Sequence, residues 1–549
     1  MVQLPTHKTK ERVKNEPPSQ VDVAIIGAGL GGLTAGAFLA RNGWRVAIFD
    51  THYVAGGCAT QFSRGPKNNQ YLFDVGLHYI GDCHSEGKIP TLLRGLGIEQ
   101  EFVPMDEEGF DTFVFPDFTF KTPANHDLFR QRLLELFPEE RTGIDKYMKF
   151  LRQLNAVAVK SDRTEGKVTP GIAMHVLFKG WQVLRYQQST LKSVLDNCTQ
   201  NPKLRAVMSA QHGDYALPPS QVSAMLHGGL VNHYLRGAYY PKGGGQVMSD
   251  KIADSIEANG GSIHLRRSVT EILIEKGCAV GVRTRSHRGE EHEVRANTVI
   301  SGADLLQTCK HLIPSEHLPS AWNKKLQTWK MARALFIMFL GVKTDLREHG
   351  MSATNYWKYD DYDIENIYTR MDSDKLLIPN CSYTTSASMK DPDSGTHHAP
   401  EGHQTLEIMT MVPGSPHLWD VSPDEIESWA YRHKDSYLKL KSQVEDKLLE
   451  HLDQQFPGVR EHIVLKESAT PISHSRYTQA TAGTSYGLAC TPDQFMANRP
   501  GYATPIKNLY LCGVNSRAGH GIVGAMSSGH ESASTIARAL KKPIPPIYT

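Results

Sequence analysis

The sequence predicts an α/β fold in two units. One is built on a largely parallel sheet assembled from distant stretches of chain; the other is α+β and inserted between them. Three observations carry this. The chain has 549 residues, more than one compact core accommodates. Its first patterned stretch reads strand–helix–strand, which demands a parallel pair. Another apolar strand, followed by a glycine-rich turn and a helix, stands near the C-terminus.

The elements follow in order. Residues 1–20 are polar and mildly basic, with Lys8, Lys10, Arg12 and Lys14, and read as a disordered lead-in without the apolar core of a secretory signal. Val21 to Ile26 is near-continuously apolar, as a strand buried on both faces must be. An Ala- and Leu-rich helix covers about 30–41, and Arg45 to Asp50 is the second buried strand. Phe110 to Lys121 alternates aromatic and polar residues, predicting a half-exposed hairpin. Helical patterns dominate from Asp127 to about Leu235, and short strands return from Ser262 to Ile300. Lys330 to Val342 and Thr405 to Val412 predict strands of a second sheet, with a loop from Met389 to His403 and a charged helix from Asp435 to Leu452. Asn508 to Cys512 is a last buried strand and Ile522 to Leu540 a last helix. The cofactor unit is thus expected over 21–105, 240–310 and 500–541, and the substrate unit over 106–239 and 311–499.

Composition narrows the class. Hydrophobic residues are 40% and charged residues 21%, as in a folded globular protein, and the net charge of +2 gives no nucleic-acid footprint. No apolar run approaches the ~18 residues of a spanning helix. The eight cysteines are scattered without a C-x-x-C pair, which fits a reducing compartment and gives neither a zinc site nor a dithiol motif. A cytoplasmic or peripherally membrane-associated chain is expected.

The chemistry begins at Gly27-Ala28-Gly29-Leu30-Gly31-Gly32, a G-x-G-x-x-G set between strand and helix. Gly27 permits the tight turn, Gly29 lets the backbone approach a pyrophosphate, and Gly32 lets helix and strand pack closely. The pyrophosphate then meets the positive helix N-terminus. Asp50 ends the second strand at about the expected spacing, near 20 residues on, where a carboxylate takes ribose hydroxyls. Two further pieces point to FAD rather than NAD. Ala55-Gly56-Gly57-Cys58 suits a loop lying along an extended dinucleotide. At the other end of the chain, Gly513 closes the last strand, and Gly521, Val523, Gly524 and Ala525 open the last helix. That N-terminus can direct N–H groups at the pyrimidine end of a flavin, or at its ribityl and phosphate groups. Gly519 to Gly524 also spells G-x-G-x-x-G, but its strand ends too early and no further strand follows, so no separate NAD(P)H unit is expected. Cys58 reads as a small filler of tight space, with a redox thiol as the alternative.

Together with Tyr240-Pro241-Lys242-Gly243-Gly244, Val299 to Asp304 and the segment Phe73 to Gly81, these motifs resemble the retinol saturase, carotenoid isomerase and phytoene desaturase family of FAD-dependent oxidoreductases. His78-Tyr79-Ile80-Gly81, Gly213-Asp214-Tyr215 and His233-Tyr234 are similar to the saturase branch. The resemblance covers nearly the whole chain after Gln20. It implies a two-domain flavoprotein of amine-oxidase-like architecture, with a Rossmann-like FAD-binding domain and an α+β substrate domain. It further implies that the Val269 backbone contacts the adenine. The activity it implies is reduction of a carbon–carbon double bond of a retinoid or related polyene lipid. Desaturation or cis–trans isomerisation on the same FAD site is the alternative. A non-catalytic flavin-binding lipid escort and an amine oxidase are readings of other classes.

Such chemistry calls for a long apolar tunnel and a few polar groups near the flavin. His78 and Tyr79 are the first candidates, as proton donor and hydroxyl anchor, against a structural core pair. His212 and Tyr215 stand before Pro218-Pro219, with Asp214 between them reading as a helix cap. His233 falls late in a helix, where it could instead answer the dipole. His520, in the C-terminal loop, is near the flavin by position. His397, His398 and His403 lack compact ligand spacing, and no metal site is expected. Residues 172–191, with Phe178, Trp181, Lys179 and Arg185, form either a lid over the tunnel or a helix lying on a membrane. The expected partners are an apolar polyene or isoprenoid substrate and an electron donor or acceptor, with no nucleic acid.

Overall fold

The computed structural model describes residues 7–67, 69–162, 169–373, 375–376, 378–545 and 547. A seven-stranded sheet runs in the order Ser262–His264, Val46–Phe49, Gln20–Ile26, Glu291–Ser301, Cys278–Ser286 and Arg267–Glu275, with Leu509–Leu511 also paired to Glu291–Ser301. Gln20–Ile26 is parallel to both neighbours, placing Ile25 beside Ile48 on one side and Ile300 on the other. These side chains are wholly buried, which is why the run carries no polar alternation. Residues 262–301 form longer strands than their turn signals suggest: three of them make an antiparallel meander. One edge of Glu291–Ser301 serves two partners, Cys278–Ser286 along its first half and Leu509–Leu511 along its last three residues. The C-terminal strand therefore reaches the same sheet end as the first glycine turn.

The second sheet also has seven strands, in the order Ile463–Ala469, Ala334–Val342, Gln404–Val412, Cys381–Thr385, Asn355–Tyr359, Asp111–Val114 and Thr119–Thr122. The hairpin predicted over 110–121 is present, but it is not uniformly half-exposed. Asp111–Val114 is interior because it pairs in parallel with Asn355–Tyr359, and only the outer strand alternates. Helices from His126 to Leu235 cover this sheet around an aromatic core containing Phe113, Phe120, Tyr147, Phe150 and Tyr234.

The N-terminal lead-in requires correction. His7–Lys14 is a helix, and Arg12 is only 2% exposed. Its guanidinium donates to Glu257 at 2.8 and 2.9 Å and to Asp254 at 2.9 Å, both on the helix Gly245–Ala258. A basic residue taken for a solvated tail is tied down by acids about 240 positions away, a pairing that local composition cannot reveal. Residues 1–6 lie outside the described residues. The segment expected as one helix over 172–191 is two, Pro170–Lys179 and Trp181–Tyr186, broken at Gly180. Among the described residues, no helix is long and apolar enough to cross a membrane.

Candidate active site

One cavity of about 2620 Å³ runs between the two sheets. Its nucleotide track is built from both ends of the chain. Gly27 adopts φ +94°, a left-handed conformation open to glycine, and turns the strand into the helix Leu30–Arg41. A methyl group on Gly57 would lie 3.0 Å from Gly29 Cα, so the double-glycine loop and the fingerprint turn lie against each other. One on Gly31 would lie 2.7 Å from Gly513 Cα, which fixes the N-terminal helix directly on the C-terminal turn. Asp50 accepts from the Ala28 N–H at 2.6 Å and the His52 N–H at 2.7 Å, which aims its carboxylate along the track.

Of the predicted cofactor residues, Gly27, Gly29, Gly32, Asp50, Gly56, Gly57, Cys58, Val269, Gly513, Gly521, Val523, Gly524 and Ala525 line this cavity. Ala28 does not; fully buried, it acts through Asp50. The cradle of close glycine backbones ending at a helix N-terminus fits a dinucleotide such as FAD. Cys58 Sγ lies 3.7 Å from His474 Nε2. Burial alone would raise the thiol, but the His474 contact outweighs it and lowers the Cys58 pKa.

The predicted catalytic residues separate. His78 Nδ1 faces Glu407 Oε2 at 3.2 Å, and the ring lines the cavity. Tyr79 stacks on Tyr234 at 4.2 Å, and its hydroxyl donates to Asp214 at 2.7 Å and Asp111 at 3.3 Å. His212, on the wall, meets the Tyr368 hydroxyl at 2.7 Å, and burial drives its pKa down to about 3. His233 Nε2 accepts from the Gly81 N–H at 2.8 Å, and burial lowers its pKa to about 4. At neutral pH it is uncharged and cannot answer a helix dipole. His520 Nε2 donates to the Asp214 carbonyl at 3.0 Å, its ring stacks on Tyr486, and burial again gives a pKa of about 4. Tyr215 does not join them: its hydroxyl meets His227 Nδ1 at 3.1 Å in a buried pair away from the cavity lining.

Asp214, expected as a helix cap, accepts no backbone N–H. Its partly exposed surface is cavity wall rather than bulk solvent. Burial, then the charge of Asp111, raise its pKa to about 8 against the weaker pull of hydrogen bonds from Tyr79 and Tyr234. Asp111 lies behind it, off the wall. Burial raises Asp111 only to about 6, because Asn355 (3.0 Å), Gln211 (2.9 Å) and Tyr79 donate to it. Two buried carboxyls sharing one tyrosine hydroxyl cannot both ionise cheaply. The one with more hydrogen-bond donors takes the charge and the cavity-facing one keeps the proton.

A second buried network backs His78. Glu407, 1% exposed, also accepts from the Asp74 N–H at 3.1 Å. Tyr240 donates to Asp74, and Lys390 donates to the His78 carbonyl and to Thr385 Oγ1 at 2.7 Å. Sequence reasoning missed Asp111, Lys390 and Glu407. A glutamate inside the apolar strand Gln404–Val412 was the available signal. Among the described residues, no group of three or more His, Cys, Asp or Glu is arranged to hold a metal. His397, His398 and His403 instead turn to the Gly243 carbonyl, Asp391 and Tyr71.

Comparison with known proteins agrees with this architecture. The chain is 28% identical over 540 residues to all-trans-retinol 13,14-reductase of Danio rerio, covering 94% of this chain and 86% of that one. It is 24% identical over 540 residues to chloroplastic prolycopene isomerase 1 of an Oncidium hybrid cultivar, covering 96% and 86%. The solved cyclohexylamine oxidase of Brevibacterium oxydans shares the fold, with a TM-score of 0.58, 16% identity and coverage of 95% of this chain and 100% of that one. The model of the flavin containing amine oxidoreductases matches residues 30–537. The chain belongs to the flavin containing amine oxidoreductase family and is an FAD-dependent oxidoreductase.

Proposed function

We propose that this enzyme reduces a carbon–carbon double bond of a retinoid or a related polyene lipid, with Asp214 as the proton donor. The carrying observation is the Asp214 carboxyl on the cavity wall, sharing the Tyr79 hydroxyl with the buried Asp111. FAD, when bound, supplies hydride chemistry; the chain must supply position, a dry environment and one proton. Met225, Leu226, Leu335, Ile337, Met409 and Met411 line the lobe and hold an apolar chain by burial, at about 0.8 kcal/mol per CH₂. Asp214 gives its proton to one alkene carbon. The Tyr79 hydroxyl, bonded to both carboxyls, fixes the Asp214 carboxyl on the wall. His78, oriented by Glu407, is a second polar group on the wall, for a substrate hydroxyl or a proton. The Val269 backbone, on the wall beside Asp50, serves the adenine end.

The similarity to prolycopene isomerases favours a second reading, isomerisation at the same site. Incubating the reduced enzyme with all-trans-retinol and with lycopene isomers, followed by chromatography, separates them. Dihydro products are expected; geometric isomers of unchanged mass would replace saturation by isomerisation, and unchanged substrates would remove both.

Peripheral membrane contact is proposed through the paired helices Pro170–Lys179 and Trp181–Tyr186. Leu177 is 62% and Phe178 75% exposed, with Met174, Trp181 and Leu184 also outward. Trp181–Tyr186 packs on Ala224–Leu235, whose other residues line the cavity, so a membrane-dissolved substrate would have a short path inward.

A further inference from the structure

The cavity is larger than the roughly 300–1,000 Å³ of one small-molecule pocket. Beyond the nucleotide track and the apolar lobe it has a third lobe, where the turn at 429–433 and the helix Pro471–Thr478 face residues 52–53. This lobe is aromatic and cationic. The Arg476 guanidinium lies 4.7 Å from the Trp429 ring, and Arg432 lies 5.3 Å from the same ring. Trp429 meets Tyr477 edge-on at 5.4 Å, and Tyr477 meets His52 at 5.8 Å.

Two features need an explanation that packing does not give. Arg476 Nε is buried without a hydrogen-bond partner. Neither Arg432 nor Arg476 is ion-paired with a described carboxylate. Of the two acids on the lobe wall, Glu467 is taken by Arg64, and Glu427 is exposed and pairs with neither arginine. Two guanidiniums flank one indole with no anion between them, and the buried Arg476 Nε stays unsatisfied until an acceptor arrives. Planar guanidiniums bind phosphate bidentately, and the indole and phenol offer ring faces.

We propose that this lobe binds a second ligand alongside FAD, one that carries both a phosphate and an aromatic ring, as a nucleotide does. His52 marks the boundary: it follows Asp50 by two residues, so the second ligand would lie next to the ribose end of the FAD track. A reduced nicotinamide dinucleotide acting as electron donor and a mononucleotide acting as effector share this chemistry.

The test uses FAD-saturated enzyme in anaerobic equilibrium dialysis against ADP, NADPH and inorganic phosphate. One further equivalent of ADP or NADPH per chain is expected, with phosphate alone weaker. Arg432→Glu, on an exposed side chain, and Arg476→Ala should each weaken nucleotide binding by about tenfold or more. The flavin absorbance per chain should stay unchanged. If NADPH bleaches the flavin, the ligand is the hydride donor; binding without bleaching makes it an effector. The proposal is overturned if the wild type binds no nucleotide, if binding ignores both substitutions, or if the variants lose FAD. The last result would return the two arginines to the FAD site itself. None of these readouts depends on which polyene is the substrate.

Discussion

Replacing Asp214 by Asn removes the proposed proton while preserving nearly everything else. Asn has the same shape, still accepts the Tyr79 hydroxyl now at 2.7 Å, and cannot be titrated. Loss of a positioned general acid costs about 10²–10⁴ in rate, or about 3–5 kcal/mol of barrier. The pH dependence is the sharper readout. With the Asp214 pKa raised to about 8, the wild-type rate should hold below that pH. Above it the rate should fall about tenfold per unit, as the donor is lost. The assay is single-turnover reduction of the polyene by chemically reduced enzyme, over roughly pH 6 to 10. Asp214→Asn should be slow and lack the alkaline limb, with FAD content unchanged. A wild-type rate in the variant, or the same limb surviving in it, refutes the assignment.

The same substitution carries a stability signature of definite sign. Below the ordinary carboxyl value of 3.8, folded and unfolded chains both hold this proton. Between there and about 8 only the folded chain keeps it, so stability falls as pH rises through the window. The Asn variant has no such slope at this position. Urea unfolding at about pH 5 and about pH 9 should therefore show the variant gaining on the wild type at the higher pH.

Three further outcomes are expected. Glu407→Gln removes the carboxylate that faces His78 Nδ1 and should lower turnover about tenfold while FAD stays bound, read from steady-state rates and flavin absorbance. Asp50→Ala removes the acceptor of two backbone N–H groups and should weaken FAD retention by about tenfold or more, read from flavin absorbance after dialysis. Phe178→Ser with Trp181→Ser should reduce sedimentation with anionic liposomes and leave turnover of detergent-dispersed substrate intact; unchanged sedimentation removes the membrane contact.

The nucleotide track was legible in the sequence because its chemistry is local. Gly27, Gly29, Gly32 and Asp50 act within one strand–helix–strand, and spacing alone conveys their roles. Gly513 was legible because it closes a strand ahead of a helix. The proposed reacting groups were legible only as residue types. Tyr79 and Asp214 are 135 positions apart, and His78 and Glu407 are 329 apart. Pairings of that kind are made by sheet order, through the strands Asp111–Val114 and Gln404–Val412. Tyr215 looked equivalent to Tyr79 in sequence, but its hydroxyl was turned to His227 by packing. Arg12 looked like a tail residue for the same reason: its acids come from a distant helix.

Desolvation explains why a carboxyl rather than an imidazole is the better acid in this cavity. Burial disfavours charge of either sign. It drives His212, His233 and His520 down to about 3, 4 and 4, leaving them neutral and unable to act as imidazolium donors near pH 7. The same burial lifts Asp214 to about 8 and keeps its proton on. A wall dry enough to hold a polyene therefore reverses the usual assignment, in which histidine is the neutral-pH acid. His78 differs from these three in facing a buried carboxylate, with Glu407 Oε2 3.2 Å from its Nδ1.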